Sequence, residues 1–334
     1  MKMRFQALAI GALLLLSGVG CAKVQSRAAF KDGNKEYTSE NFKRAIQHYE
    51  RAVELDPNLA EAWFYLGSSY QAMYRPGKET PENKELLQKS VDAYKKSLET
   101  NPAGTEQQKK VKTNTLGALI AIHSEEPFKD FNTAQQYAQQ LVQENPNDSK
   151  NLYALANLYE KFDQVPQAEE TYKKVSELNP NDPKACGALA AFYNKPLWEG
   201  RSKFDQAIDV LQRCASLDAN DPGGYQKVAS FYWDKAYRDP LISDEQKQQY
   251  AQKGMEAVDK ALSLKPDYFD AVIYKGLLYR VMASVAKDPR QRAQYLDQAQ
   301  TLQKQGLELR KQQQAAEAAA AAGGAASPAP TSAQ

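Results

Sequence analysis

The chain has 334 residues, 43 of them basic and 41 acidic, with a formal net charge of +2 at pH 7. A balance this close to neutral argues against nucleic acid as a partner, for want of a basic footprint. Nor does it support electrostatic attachment to anionic lipid.

The first twenty residues read as a secretory leader. Lys2 and Arg4 open it, residues 7–16 are apolar, and small residues precede Cys21. The apolar run is too short to span a bilayer. Removing Lys2 and Arg4 with the leader leaves acidic and basic residues equal in number. Ser17-Gly18-Val19-Gly20-Cys21 resembles the lipobox of bacterial lipoproteins, although Gly18 stands where that family usually has leucine. The resemblance implies that Cys21 becomes the lipid-modified first residue of the mature chain. Ordinary cleavage after Ala22, with Gly20 and Ala22 as the small recognition residues, is the other reading. Ala22 is not the aspartate associated with inner-membrane retention, so the resemblance implies the periplasmic face of the outer membrane. Residues 21–27 are expected to be a short tether, reaching ~20 Å at full extension.

From residue 28 one pattern recurs. The first copy keeps Gly33, Phe42, Ala45, Tyr49, Ala52 and Pro57 but lacks an aromatic residue at its start. The clearest copy reads Trp63-x-x-Leu66-Gly67-x-x-Tyr70 and closes with Ser90-x-x-x-Tyr94 and Pro102. Later copies carry Leu116-Gly117 with Pro146, Leu155-Ala156 with Pro180, Leu189-Ala190 with Leu211, Val228-Ala229 with Pro266, and Gly276 with Gly306. Small residues suit the crossing of two helices, and proline ends the second one. The pattern resembles the tetratricopeptide repeat, a helix–turn–helix unit of 34 residues. That resemblance implies an all-α solenoid over residues 28–312. It would be a right-handed superhelix of antiparallel helix pairs, with six to seven repeats, some lengthened. The lengthening falls around residues 75–85, 238–246 and 285–291, marked by Pro76-Gly77, Asp239-Pro240 and Asp288-Pro289. Ser243-x-x-Gln246 reads as a capping box. Residues 313–334 form an Ala- and Pro-rich tail that is expected to be disordered, its Ala-rich part prolonging the last helix.

The family resemblance also places residues on a concave groove. These are Phe64, Ser68 and Gln71; Tyr153, Asn157 and Glu160; Lys184 and Asn194; Gln226, Ser230 and Trp233; and Ile273, Leu277 and Arg280. Their mixture of aromatic, amide and apolar groups suits an extended peptide or a helix, with Trp233 the leading anchor. The clamp of basic residues used to capture C-terminal carboxylates is missing. Cys186 and Cys214 sit where a disulfide is geometrically possible, while two small buried side chains are the more usual role of such residues. His48 and His123 have no metal-ligand or triad pattern beside them, and no HExxH, GxSxG or phosphate-loop motif occurs. No enzyme, cofactor or metal is expected. The reading is a lipid-anchored, periplasm-facing scaffold that binds envelope proteins or peptides. It is similar in class to type IV pilus pilotins and accessory lipoproteins of outer-membrane protein assembly. The alternatives are a secreted or periplasmic module for a small ligand or cell-wall glycan, and a self-assembling structural protein.

Overall fold

The computed structural model describes residues 3–197, 200 and 202–324, with side chains between residues 21 and 318. The leader's side chains and residues 325–334 of the tail therefore lie outside the described residues. Among the described residues the chain forms fourteen α-helices and no strand. Contacts divide it into unit 1 (Met1–Thr171) and unit 2 (Tyr172–Gln334), each a stack of helix pairs.

Unit 1 contains α1 (Met3–Thr38), α2 (Phe42–Leu55), α3 (Ala60–Met73), α4 (Pro81–Thr100), α5 (Glu106–Ser124), α6 (Phe131–Glu144) and α7 (Ser149–Lys161). The boundary falls inside α8 (Val165–Leu178). Unit 2 continues with α9 (Pro183–Tyr193), α10 (Phe204–Leu217), α11 (Pro222–Arg238), α12 (Asp244–Leu264), α13 (Phe269–Val285) and α14 (Pro289–Gly324). Within the units α1 packs on α2, α3 on α4, α5 on α6, α9 on α10, α11 on α12 and α13 on α14. The first helices α1, α3, α5 and α7 also touch one another in succession, as α11 touches α13. A continuous first-helix face results across α1, α3, α5 and α7, and another across α11 and α13.

Close approach explains the repeat's small residues. A Cβ on Gly33 would lie 2.6 Å from the Tyr49 ring, and one on Gly67 would lie 2.8 Å from the Tyr94 ring. Each tyrosine is fully buried across its pair. Buried serines tie the helices further: Ser90 Oγ donates to the Gly67 carbonyl (2.8 Å) and Ser97 Oγ to that of Ala60 (2.9 Å). Such bonds satisfy groups that would otherwise be costly to bury.

Capping sets the helix starts. Thr105 with Gln108, and Ser243 with Gln246, form reciprocal capping boxes. Asp130, Asp148, Asp182 and Asp221 each accept a backbone N–H at their own helix start. The lengthened repeats are mostly helix: α4 has 20 residues and α12 has 21, against 14 in α2 and α3.

The N-terminal end differs from the expected layout. Residues 21–27 are helical within α1 and form no extended tether. Ser26 is already fully buried, its Oγ donating to the Ala52 carbonyl at 2.8 Å, so this packing holds the segment as helix. At ~1.5 Å per residue, Cys21 stands only ~8 Å before that contact. At the other end α14 continues to Gly324, past residue 312, as the helix propensity of its alanines favours. No described helix is long and apolar enough to cross a membrane.

Candidate functional site

On the first-helix face, the same ring pair is built once in each unit. In unit 1, Tyr37 follows Gly33 by four residues and Tyr65 precedes Gly67 by two. Their rings meet edge to face at 5.6 Å and 75°. In unit 2, Trp233 follows Ala229 by four residues and Tyr274 precedes Gly276 by two, and these rings meet at 5.7 Å and 72°. Repeat geometry is the cause, because the same two repeat positions on successive first helices, one late and one early, face each other whenever the helices stack. Edge-to-face contact is a favoured arrangement of aromatic rings.

The two pairs have different surroundings. Tyr65 also lies 5.8 Å from both Phe30 and Tyr49 and 5.1 Å from Phe64, so the unit 1 pair is the surface of a larger aromatic core. Trp233 instead stacks on Tyr237 at 5.3 Å and 11°, and Tyr237 is 66 % exposed. The Arg238 guanidinium sits 5.8 Å from the Trp233 ring while its Nε contacts Asp234 at 2.9 Å. Lys235 pairs with Asp239 at 2.7 Å, which holds the Asp239 carboxyl below its ordinary range. This end of α11 therefore presents apolar rings whose neighbouring charges are already paired.

Burial raises the Tyr37 phenol above its ordinary 10.0, with the Tyr65 phenol adding to it and Ser68 opposing. Burial also raises Tyr274, helped by the Asp270 and Asp234 carboxylates. Both hydroxyls stay protonated at neutral pH and can donate to a partner's carbonyl groups.

The other expected groove residues are unequally available. Gln71 Oε1 accepts the buried Tyr94 hydroxyl (2.7 Å), which also meets Ser68 Oγ at 3.1 Å. Burial pushes that phenol up to about 12. Phe64 is half-buried against Leu87, Val91 and Tyr94 and belongs to the core as much as to the face. Tyr153 and Gln226 are half-buried, and Asn157 is exposed. Ile273 is half-buried. It packs under α14, where a Cβ on Gly306 would come within 2.5 Å of its Cδ1. Leu277 is half-buried, and Arg280 donates to Gln303 of α14 at 2.7 Å. The last helix thus occupies much of the seventh repeat's first-helix surface.

Tyr37, Tyr65, Tyr237 and Tyr274 were absent from the sequence-based set. Carrying the spacing around Gly33, Gly67 and Gly276 across neighbouring copies would have found three of them; Tyr237 has no such signal. Cys186 and Cys214 are joined in a disulfide with Cα atoms 6.2 Å apart, in place of two separate buried side chains. Cys21 is a free, exposed thiol. His48 is half-buried, and no group of three His, Cys, Asp or Glu residues gathers to hold a metal among the described residues.

Two family profiles match this chain: one described as "Tetratricopeptide repeat" over residues 128–192, and one described as "TPR repeat" over residues 33–73. Comparison with curated protein sequences finds no match. Among solved structures, the C-terminal part of a TPR repeat-containing protein from Cytophaga hutchinsonii is 16 % identical with a TM-score of 0.51, the alignment covering 84 % of this chain and 98 % of that one. A tetratricopeptide repeat protein from Parabacteroides merdae is 13 % identical at a TM-score of 0.43, over 83 % and 99 % of the two chains. Pseudomonas aeruginosa pilF is 16 % identical at 0.41, over 76 % and 98 %. At these identities likeness speaks to fold alone. The chain carries tetratricopeptide repeats and folds as a solenoid of antiparallel helix pairs.

Proposed function

We propose that this protein is a non-enzymatic scaffold, held to the periplasmic face of the outer membrane through Cys21, which binds an envelope protein or peptide on its first-helix face. Tetratricopeptide repeats as a class hold protein or peptide partners. The observation that carries the reading here is the Tyr237–Trp233–Tyr274 ring set beside Arg238, in which Tyr237 is exposed and Trp233 and Tyr274 are half-buried against the core. Trp, Tyr and Arg dominate binding hot spots, and the two aromatic residues bury much area while freezing few torsions. The second ring pair, Tyr37–Tyr65, offers an equivalent contact on unit 1. The anchor rests on the leader and the lipobox-like residues before Cys21.

A cell-wall glycan is the second reading, favoured by the nearly parallel Trp233–Tyr237 stack, a flat surface on which a sugar ring can lie. In-cell crosslinking followed by mass spectrometry separates the two. Partners seen with wild type and lost with Trp233→Ala or Tyr37→Ala, at unchanged helicity, support protein binding. Unchanged crosslinks refute it. Thermal stabilisation by cell-wall fragments, abolished by Trp233→Ala, supports the glycan. Metabolic lipid labelling that persists in Cys21→Ala would refute the anchor.

A further inference from the structure

Unit 2 holds a cavity of about 560 Å³ between α9, the end of α10 and the start of α11. The buried Cys186 and Leu211 and the half-buried Cys214 line it, together with the more exposed Pro183, Asp182, Asp218 and Asp221. The cavity has a cause in the repeat register. Gly187 follows Cys186 as Phe64 follows Trp63 and Tyr153 follows Leu152. Two other repeats thus carry a ring where this one carries only hydrogen. A Cβ on Gly187 would meet no atom within 4 Å, so the space is open. Gly224 brings α11 close on the far side, where its own Cβ would lie 3.0 Å from Ala215.

The rim has a definite charge. Asp182, Asp218 and Asp221 each accept a backbone N–H through Oδ1, from Lys184 (2.9 Å), Asn220 (3.3 Å) and Gly223 (2.9 Å). A second oxygen remains on each, and among the described residues none of the three has a salt-bridge partner within 4.0 Å. The cation on the lining, Lys227, has its ammonium 5.7 Å from the Phe231 ring. An apolar recess with an acidic edge complements an apolar side chain beside a cationic one.

We propose that this cavity receives an apolar side chain of a bound peptide whose neighbouring residue is lysine or arginine, the cation facing Asp218 and Asp221. The proposal rests on the peptide-binding reading above and names the chemistry of the partner. Other regions carry less. The space between Asp205, Tyr225 and Lys260 mixes both charges and selects no ligand. The exposed Leu241 shows nothing of what would cover it.

The test uses the full chain and a fluorescently labelled, amidated peptide of alternating leucine and lysine, with a leucine–glutamate peptide as control. Anisotropy titrations are run at low salt. The lysine peptide should bind at least tenfold more tightly than the control. Gly187→Leu, whose Cβ meets no atom within 4 Å, should weaken it about tenfold. The double variant Asp218→Asn/Asp221→Asn keeps capping groups at both positions and should also weaken it severalfold, with a shallower salt dependence. Equal binding of the two peptides, or affinity unchanged in both variants, overturns the proposal. Should Gly187→Leu fail to fold, the asparagine variant still decides. In the crosslinking assay, partners lost with Trp233→Ala but kept with both cavity variants would overturn the cavity alone and leave the aromatic face standing.

Discussion

The disulfide between Cys186 and Cys214 closes a loop with a sequence separation of 28 and ties α9 to α10. Reducing it, or replacing both residues by alanine, returns loop-closure entropy to the unfolded chain. For a loop of that length the chain-entropy relation gives about 12 cal/mol/K, or about 3.6 kcal/mol at 25 °C. Cys186 is only 2 % exposed, so the alanine variant also loses some core packing. Spread over a unit of this size, the loss lowers the melting temperature by roughly 10 °C. Circular dichroism melts of Cys186→Ala/Cys214→Ala against oxidised wild type measure that shift. Hydrogen exchange should place the loss of protection in α9, α10 and their neighbours, because repeats communicate through adjacent contacts. Thiol titration gives an independent reading: the denatured, unprocessed chain, which has 3 cysteines, should show only Cys21 reactive until reductant is added. Three reactive thiols without reductant, or a variant that melts within a degree of wild type, would refute the reasoning.

Three further outcomes follow from particular contacts. Gly67→Ala would place a Cβ 2.8 Å from the Tyr94 ring and 3.1 Å from the Ser90 carbonyl oxygen, so urea unfolding should show a loss of roughly 1–3 kcal/mol. His123 is 6 % exposed, its ring nitrogens lack hydrogen-bond partners, and burial pulls its pKa below 6.5, against the opposing attraction of Asp130. Below pH 6.5 the unfolded chain takes up a proton that the folded one refuses. Stability should therefore fall by about 1.4 kcal/mol per pH unit until the folded ring titrates. Urea midpoints at stepped pH measure this slope, which His123→Phe should remove. With Trp63 and Trp198 replaced by phenylalanine, Trp233 emission should shift when a partner peptide covers its ring; a bound state with unchanged emission would exclude Trp233 from the contact.

The pairing of helices was legible because its signals are local and steric. Gly33 with Tyr49 and Gly67 with Tyr94 combine the small and large residues that a close helix crossing requires, and Ser243-x-x-Gln246 states its own capping bond. Availability for binding was less legible, since it depends on what another helix does. Ile273 occupies a groove position by register, yet the absent side chain of Gly306, more than thirty residues away, lets α14 settle over it. Tyr37 was passed over because its copy lacks the aromatic start by which the repeat is recognised, although its spacing from Gly33 is regular. The cavity beside Gly187 was illegible for a related reason: a motif search records residues that match, whereas here the informative feature is a missing side chain. A surface built from repeats is therefore best read by comparing equivalent positions across copies. Where one copy omits the ring that others carry, the chain creates space that a partner's side chain can fill, and the charges around that space set which side chain it admits.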